Sequence, residues 1–296
     1  MAYGTPRTPD DVEGYYTHVR RGRPPTPELL ADLQQRYQAI GGTSPLLERT
    51  EAQAAGLQAA LGDGWRVELG MKHAPPFIED GMAALDRQGV RRVVGLVLAP
   101  HYSALSVGEY KARALATEAA SEGRLELAMV DSWHLEPGYL DLLAARVIEA
   151  TPLLAVSDPD RVEVVFTAHS LPSRILEAGD PYRVQLAETA AAVAERVGLP
   201  DDRWSVAWQS AGRTPDLWIG PDILAVLAER AAAGEVEGVI VCPAGFVSDH
   251  LEVLYDLDVE ARSAAERLGL AFARTESLND DPTLCATLAE VVRRRG

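Results

Sequence analysis

Cysteine is almost missing from this chain: the 296 residues contain two, Cys242 and Cys285, far apart and each in an apolar neighbourhood. Two thiols cannot furnish a four-cysteine iron-sulfur or zinc site, and they read as buried thiols rather than a disulfide. Long apolar runs are missing as well. No stretch approaches the roughly 20 residues that span a bilayer, and the opening MAYGTPRTPDD has no signal-peptide core, so the chain reads as cytoplasmic with no stable membrane association. Positive charge is short: 28 Lys and Arg face 44 Asp and Glu, a formal net charge of -16, which argues against nucleic acid or an anionic membrane surface as partner. Low-complexity tracts are absent. What is there, 47% hydrophobic and 24% charged residues, is the composition of a soluble globular protein long enough for two ordinary domains.

Apolar runs, polar loops and helical periods alternate along the chain. Strand-like runs fall at residues 65–69, 91–98, 125–130, 162–166, 205–208, 238–241 and 270–273. Helical periods fall between them, for example over 26–40, 46–61, 181–197 and 250–268. Strand, loop, helix in repetition implies α/β architecture with parallel sheets and crossover helices. The polar, proline-containing stretch 151–160 reads as a boundary, giving residues 1–150 and 151–296 as two Rossmann-like domains, with a last helix at about 282–295 packing back on the first. Both LVLAPHYS and VIVCPAGFVSDH show an apolar strand, a proline and a polar turn. MAYGTP has the form of a strand-to-loop junction with no strand before it, so either the start of the sequence is mis-assigned, the favoured expectation, or the first sheet lacks its first strand.

Three groups of residues stand out. His169 follows the apolar run VVFTA at a strand's carboxyl end, where open parallel sheets collect ligands; it serves either chemistry or the ordering of its own loop. Glu252, Asp256 and Glu260, four residues apart, form one stripe on an α-helix, drifting about 40° per step over roughly 12 Å. Three like charges in a row suit a passing proton or divalent cation, or else form an exposed acidic face. Arg20, Arg21 and Arg23, with Arg36 in the next helix, are a basic cluster able to receive a multiply carboxylated ligand, or a solvated turn. His73 and His101 sit at strand ends, with loop ordering an equal reading, and Trp208 and Trp218 read as packing residues.

The segments MAYGTP, YYTHVRRGRPPTPELLADLQQRYQAIGGTSPL, GMKHAPPFIEDG, LAPHYSALSVGEY, FTAHSLP with GDPY, WQSAGRTPDLWIGPDI and CPAGFVSDHLEVLYDLDVEA together resemble the ferrochelatases, over nearly the whole chain and in order. The closest likeness is to the soluble branch of Gram-positive bacteria and their relatives. The resemblance implies two Rossmann-like domains with a porphyrin cleft between them, and insertion of ferrous iron into coproporphyrin III to give Fe-coproporphyrin in haem biosynthesis. It further implies Fe2+ as substrate, no permanently bound cofactor, no iron-sulfur cluster, a monomer, and transient contact with neighbouring haem-pathway enzymes. It assigns pyrrole deprotonation and metal delivery to His169 and Glu252, an acidic path to Asp256 and Glu260, and substrate contacts to Tyr3, Arg20, Arg21, Arg36, Ser44 and Tyr110. Metallation must remove two pyrrole protons; a neutral imidazole beside a carboxylate can take one near pH 7, and the same groups can hold iron transiently. A protoporphyrin IX ferrochelatase, a cobalt chelatase and a non-catalytic porphyrin carrier are the alternatives.

Overall fold

The computed structural model describes residues 1–212 and 214–296. Three helices come first, α1 (Val12–Val19), α2 (Pro27–Ala39) and α3 (Leu46–Leu61). α2 begins where the Thr26 hydroxyl accepts the Leu29 amide at 3.4 Å, with Pro27 in the first turn, where its missing N–H costs nothing. Next come α4 (Ile78–Arg87), β1 (Arg92–Leu96), α5 (Val107–Ala120), β2 (Glu126–Val130) and α6 (Pro137–Ala150). β1 and β2 pair in parallel from Arg92 opposite Glu126 to Leu96 opposite Val130.

The second half holds β3 (Val162–His169), α7 (Arg174–Glu177), α8 (Tyr182–Val197), β4 (Trp204–Gln209), α9 (Ile223–Ala233) and β5 (Gly238–Cys242). A π-helix (Val253–Ala261) runs into α10 (Arg262–Leu268), followed by β6 (Ala271–Arg274) and α11 (Pro282–Arg293). The four strands form a parallel sheet in the order β4-β3-β5-β6. β5 is buried along its whole length and β3 up to its last residue, which is why both read as near-continuous apolar runs. Glu163 interrupts β3 and is buried, but Arg230 and the Ser205 hydroxyl bind its carboxylate, as a buried charge requires.

One apolar cluster joins the halves, with Leu61, Leu143, Phe166, Trp208, Leu284 and Leu288 among its members, and α11 packs on α3 and α6. Both cysteines are buried free thiols. Among the described residues no helix is long and apolar enough to cross a membrane.

Two expected elements differ. Residues 65–70 carry a strand pattern but join no ladder, because a largely apolar cavity of about 220 Å³ lies between them and β1. Met1 and Ala2 sit at the end of that cavity as a single rung. The Met1 carbonyl accepts Leu98 N–H at 2.9 Å, and Ala2 N–H donates to the Gly70 carbonyl at 3.1 Å. The helical period 250–268 is the second difference: its first part is a π-helix of 9 residues.

Gly245, in the loop after β5, lies against the end of β3, its N–H donating to the Thr167 carbonyl at 2.9 Å. A Cβ there would stand 2.8 Å from Ala168 Cα and 2.4 Å from its Cβ. Gly245→Ala must therefore push the loop off β3, and its unfolding free energy is expected to fall by about 1–3 kcal/mol. The midpoint of urea unfolding measures this, and an unchanged midpoint would contradict the packing described.

Candidate active site

β3 and β5 are neighbours in parallel, so the chain leaves both on the same edge of the sheet. β3 delivers His169 as its last residue. The loop after β5 delivers His250 and leads into the helix that carries Glu252. Gln209, the last residue of β4, receives the Thr167 hydroxyl at 2.8 Å and donates to the Glu252 carbonyl at 3.2 Å, tying that helix to the strand ends. Facing this edge across a cavity of about 480 Å³ are residues of the first half, among them Tyr3, Lys72, His73 and Tyr110. The size and the mixture of aromatic and polar walls are those of a ligand site.

At the floor the Glu252 carboxylate lies between two imidazoles. His169 Nε2 is 3.5 Å from its Oε1, and His250 Nε2 is 3.6 Å from its Oε2. The orientation of both rings is set by backbone: His169 Nδ1 contacts the Ser170 carbonyl, and His250 Nδ1 is 2.9 Å from the Ser248 carbonyl. A carbonyl only accepts, so each Nδ1 carries a proton and each Nε2 is directed at the carboxylate. Burial alone would lower the His169 pKa, but the Glu252 charge and hydrogen bond, the Ser170 carbonyl and Asp256 outweigh it and raise the value from 6.5 to about 9. Burial would raise Glu252, and the two histidines hold it well below the usual carboxylate range. At pH 7 the pair is thus an imidazolium and a carboxylate, where the sequence offers a neutral imidazole.

The sequence model of the ferrochelatase family matches residues 1–296. The chain belongs to the ferrochelatase family. It is 42% identical over 300 residues to the coproporphyrin III ferrochelatase of Bacillus pumilus (strain SAFR-032), covering 100% of this chain and 95% of that one. It is 44% identical over 296 residues to a ferrochelatase of Herpetosiphon aurantiacus, covering 99% and 96%. Among solved structures, SirB from Bacillus subtilis with Fe3+ superimposes with a TM-score of 0.60 at 13% identity, over 84% of this chain and 88% of that one. The cobalt complex of the sirohydrochlorin chelatase SirB from Bacillus subtilis subspecies spizizenii gives 0.59 at 12%, over 84% and 89%. At such identities these two show a shared fold.

In this ferrochelatase-family chain the acidic ladder starts at Glu252, just before the π-helix, and continues on it with Asp256 and Glu260. Hydrogen bonds there close from i to i+5 and a turn holds roughly four to five residues, so a spacing of four falls just short of a full turn instead of overshooting it. Asp256 is buried behind Glu252, with the Ser210 hydroxyl donating to one oxygen and Arg36 Nη1 3.5 Å from the other. Burial and then the Glu252 charge raise its pKa from 3.8 to about 7, against the pull of Ser210 and Arg36. Glu260 follows, half-buried. Among the described residues, no three His, Cys, Asp or Glu side chains gather as a metal-holding group.

The remaining residues of interest divide. Tyr3, Arg21, Ser44 and Tyr110 line the cavity together with His169 and Glu252. Ser44 also accepts the amide of Leu46, the first residue of α3, at 3.3 Å. Arg20 lies outside that wall, 5.6 Å over the Tyr16 ring, with its Nε donating to the Arg23 carbonyl. Arg36 turns to the π-helix, pairing with Asp32 at 3.2 Å and stacking 4.9 Å from the Tyr255 ring in addition to its contact with Asp256. His101 is buried against Thr189 and Trp208 is in the core; His73 lines the cavity, where burial and then the Lys72, His18 and Arg113 charges depress its pKa to about 3. Sequence reasoning missed His250, Lys72 and Glu109. His250 was open to discovery as a second histidine two residues before Glu252.

His169 and Asp256 keep their protons to higher pH in the folded chain than in the unfolded one. Each contributes stability that is lost as pH rises, Asp256 between about pH 4 and pH 7 and His169 between about pH 6.5 and pH 9, while the depressed His73 and His101 act in the opposite sense only below about pH 6.5. The melting temperature is expected to drop between pH 7 and pH 9.5, and to drop less in His169→Ala. An equal drop in both proteins, measured by calorimetry, would contradict the raised pKa.

Proposed function

We propose that this protein inserts ferrous iron into coproporphyrin III, giving Fe-coproporphyrin in haem biosynthesis, with residues 1–150 and 151–296 as the two walls of the site. The observation that carries the reading is the Glu252 carboxylate set between two backbone-oriented imidazoles at the floor of the cavity. The 42% identity to the coproporphyrin III ferrochelatase of Bacillus pumilus supports coproporphyrin as the tetrapyrrole.

Metallation exchanges two pyrrole protons for a divalent ion. In this reading the Glu252 carboxylate takes a proton and gives iron a transient foothold, and His169 joins it as base and ligand once it has passed on the proton it carries at rest, since imidazole nitrogen and carboxylate oxygen both bind ferrous ion without the tightness of thiolates. Asp256, with a pKa of about 7, can be charged or neutral under working conditions and passes protons on toward Glu260. Tyr3 approaches the macrocycle from the opposite wall, beside Tyr110. Arg20, Arg21 and Ser44 serve the ligand's carboxylates at the rim, and Arg36, which clusters with them in the sequence, steadies Asp256. Iron is substrate, no resident cofactor is required, and the protein works as a cytoplasmic monomer.

Under anaerobic conditions ferrous iron and coproporphyrin III are expected to yield the metalloporphyrin spectrum. Glu252→Gln and His169→Ala should each slow metallation by about 10²-fold or more while changing porphyrin affinity less than threefold, roughly. Porphyrin binding without metallation by the wild type would make the protein a carrier. Faster turnover of protoporphyrin IX, or of cobalt with sirohydrochlorin, would move it to another chelatase class.

A further inference from the structure

The cavity's cations are not free to meet a ligand. Lys72 is 8% exposed, its ammonium 5.8 Å from the Tyr3 ring centroid and 5.3 Å from that of Tyr110. It is held by Glu109 Oε2. The other oxygen of the same carboxylate, Oε1, is 3.1 Å from Nη2 of Arg21. Glu109 thus occupies both cations at once and ties the turn after α1 to the start of α5. Arg21 reaches it from a strained, left-handed position (φ 58) in which its side chain is 85% exposed.

We propose that Glu109 is a specificity-determining residue that competes with substrate carboxylates for Lys72 and Arg21, so that an anionic ligand enters by exchanging its carboxylate for that of Glu109. The inference rests on the reading of the cavity as a site for a carboxylated tetrapyrrole. The exchange conserves charge, because one carboxylate replaces another and the buried ammonium is never left unpaired. Glu109 is suited to release. It stands in the first turn of α5, where the helix dipole favours a negative charge, and its side chain is 32% exposed, so water can receive it. A neutral ligand edge cannot displace it without leaving Lys72 buried and unpaired, which disfavours that edge. The same competition weakens the hold on product and eases its departure.

Titration of coproporphyrin III against the purified full chain, followed by porphyrin absorbance, tests the exchange. Glu109→Gln keeps the shape and removes the charge, and is expected to tighten the dissociation constant about tenfold, the weight of one charge-assisted contact. Glu109→Ala, checked for an unchanged melting temperature, should tighten it in the same direction. Arg21→Ala should cost less than about threefold in the wild-type background, where Glu109 already claims the arginine, and about tenfold in the Glu109→Gln background, a coupling that a purely structural residue does not show. Unchanged or weaker binding in both Glu109 variants, or equal losses for Arg21→Ala in both backgrounds, overturns the proposal. Wild-type binding with no tightening rejects the role of Glu109 alone, whereas no porphyrin binding by the wild type rejects the ligand class and the competition together.

Discussion

A carboxylate at the floor of a cavity gains from being paired even where, like Glu252, it keeps 37% of its side-chain surface exposed, and the placement of Glu252 governs much of the second half of this protein. Its two oxygens face two imidazoles, and each imidazole can face it only because a backbone carbonyl holds the opposite nitrogen. Those carbonyls belong to the residue after β3 and to the loop after β5, so the pairing depends on the register of two adjacent parallel strands. A slip of one residue in β3 would reverse its faces and send His169 away from the cavity. The close approach of Gly245 to Ala168, with room for no side chain, keeps the loop in that register. The constraint extends along the helix: a second carboxylate, Asp256, is buried one turn behind Glu252, and Ser210 from the end of β4 and Arg36 from α2 are drawn in to satisfy it.

Much of this was legible in the sequence wherever local pattern decides structure. The apolar run ending at His169 announced a buried strand with a functional residue at its end, and the helix of residues 46–61 was set by its period and by the glycine that follows it. Residues 65–69 had the right composition for a strand and did not become one, because pairing requires a neighbour and the space beside them is a cavity. The π-helix was invisible for a different reason. Its residues have the same apolar period as an α-helix, and the widened turn holds Asp256, whose partners Ser210 and Arg36 come from distant segments.

Contacts between distant segments were the least legible. Arg36 clustered in sequence with Arg20 and Arg21, yet it lies across from Asp256, 220 positions along the chain. Lys72 and Glu109 each lie in a family-like segment, GMKHAPPFIEDG and LAPHYSALSVGEY, but no local pattern joins the two. They become significant only when folding brings a buried ammonium, two tyrosine rings and a surface arginine around one carboxylate. A chain with a net charge of -16 has few cations to spare, and in the cavity wall it commits Arg21 and Lys72 to a single acid.

The order of proton affinities along the acidic path bears on direction. His169, raised to about 9, holds its proton more firmly than Asp256, raised to about 7. In the proposed mechanism a cation arriving beside Glu252 reverses this, because a positive charge near an imidazole disfavours the protonated ring. The proton then moves to the group behind it, and a carboxyl poised near neutrality receives or loses it at little cost. Had Asp256 kept an ordinary carboxylate pKa, it would release protons readily and accept them poorly. Had it lain in a dry, unpartnered site, it would stay neutral and relay nothing. Ser210 and Arg36 supply the correction between these limits, so in the proposed mechanism the guanidinium that turned away from the cavity is the one that lets Asp256 serve as a relay.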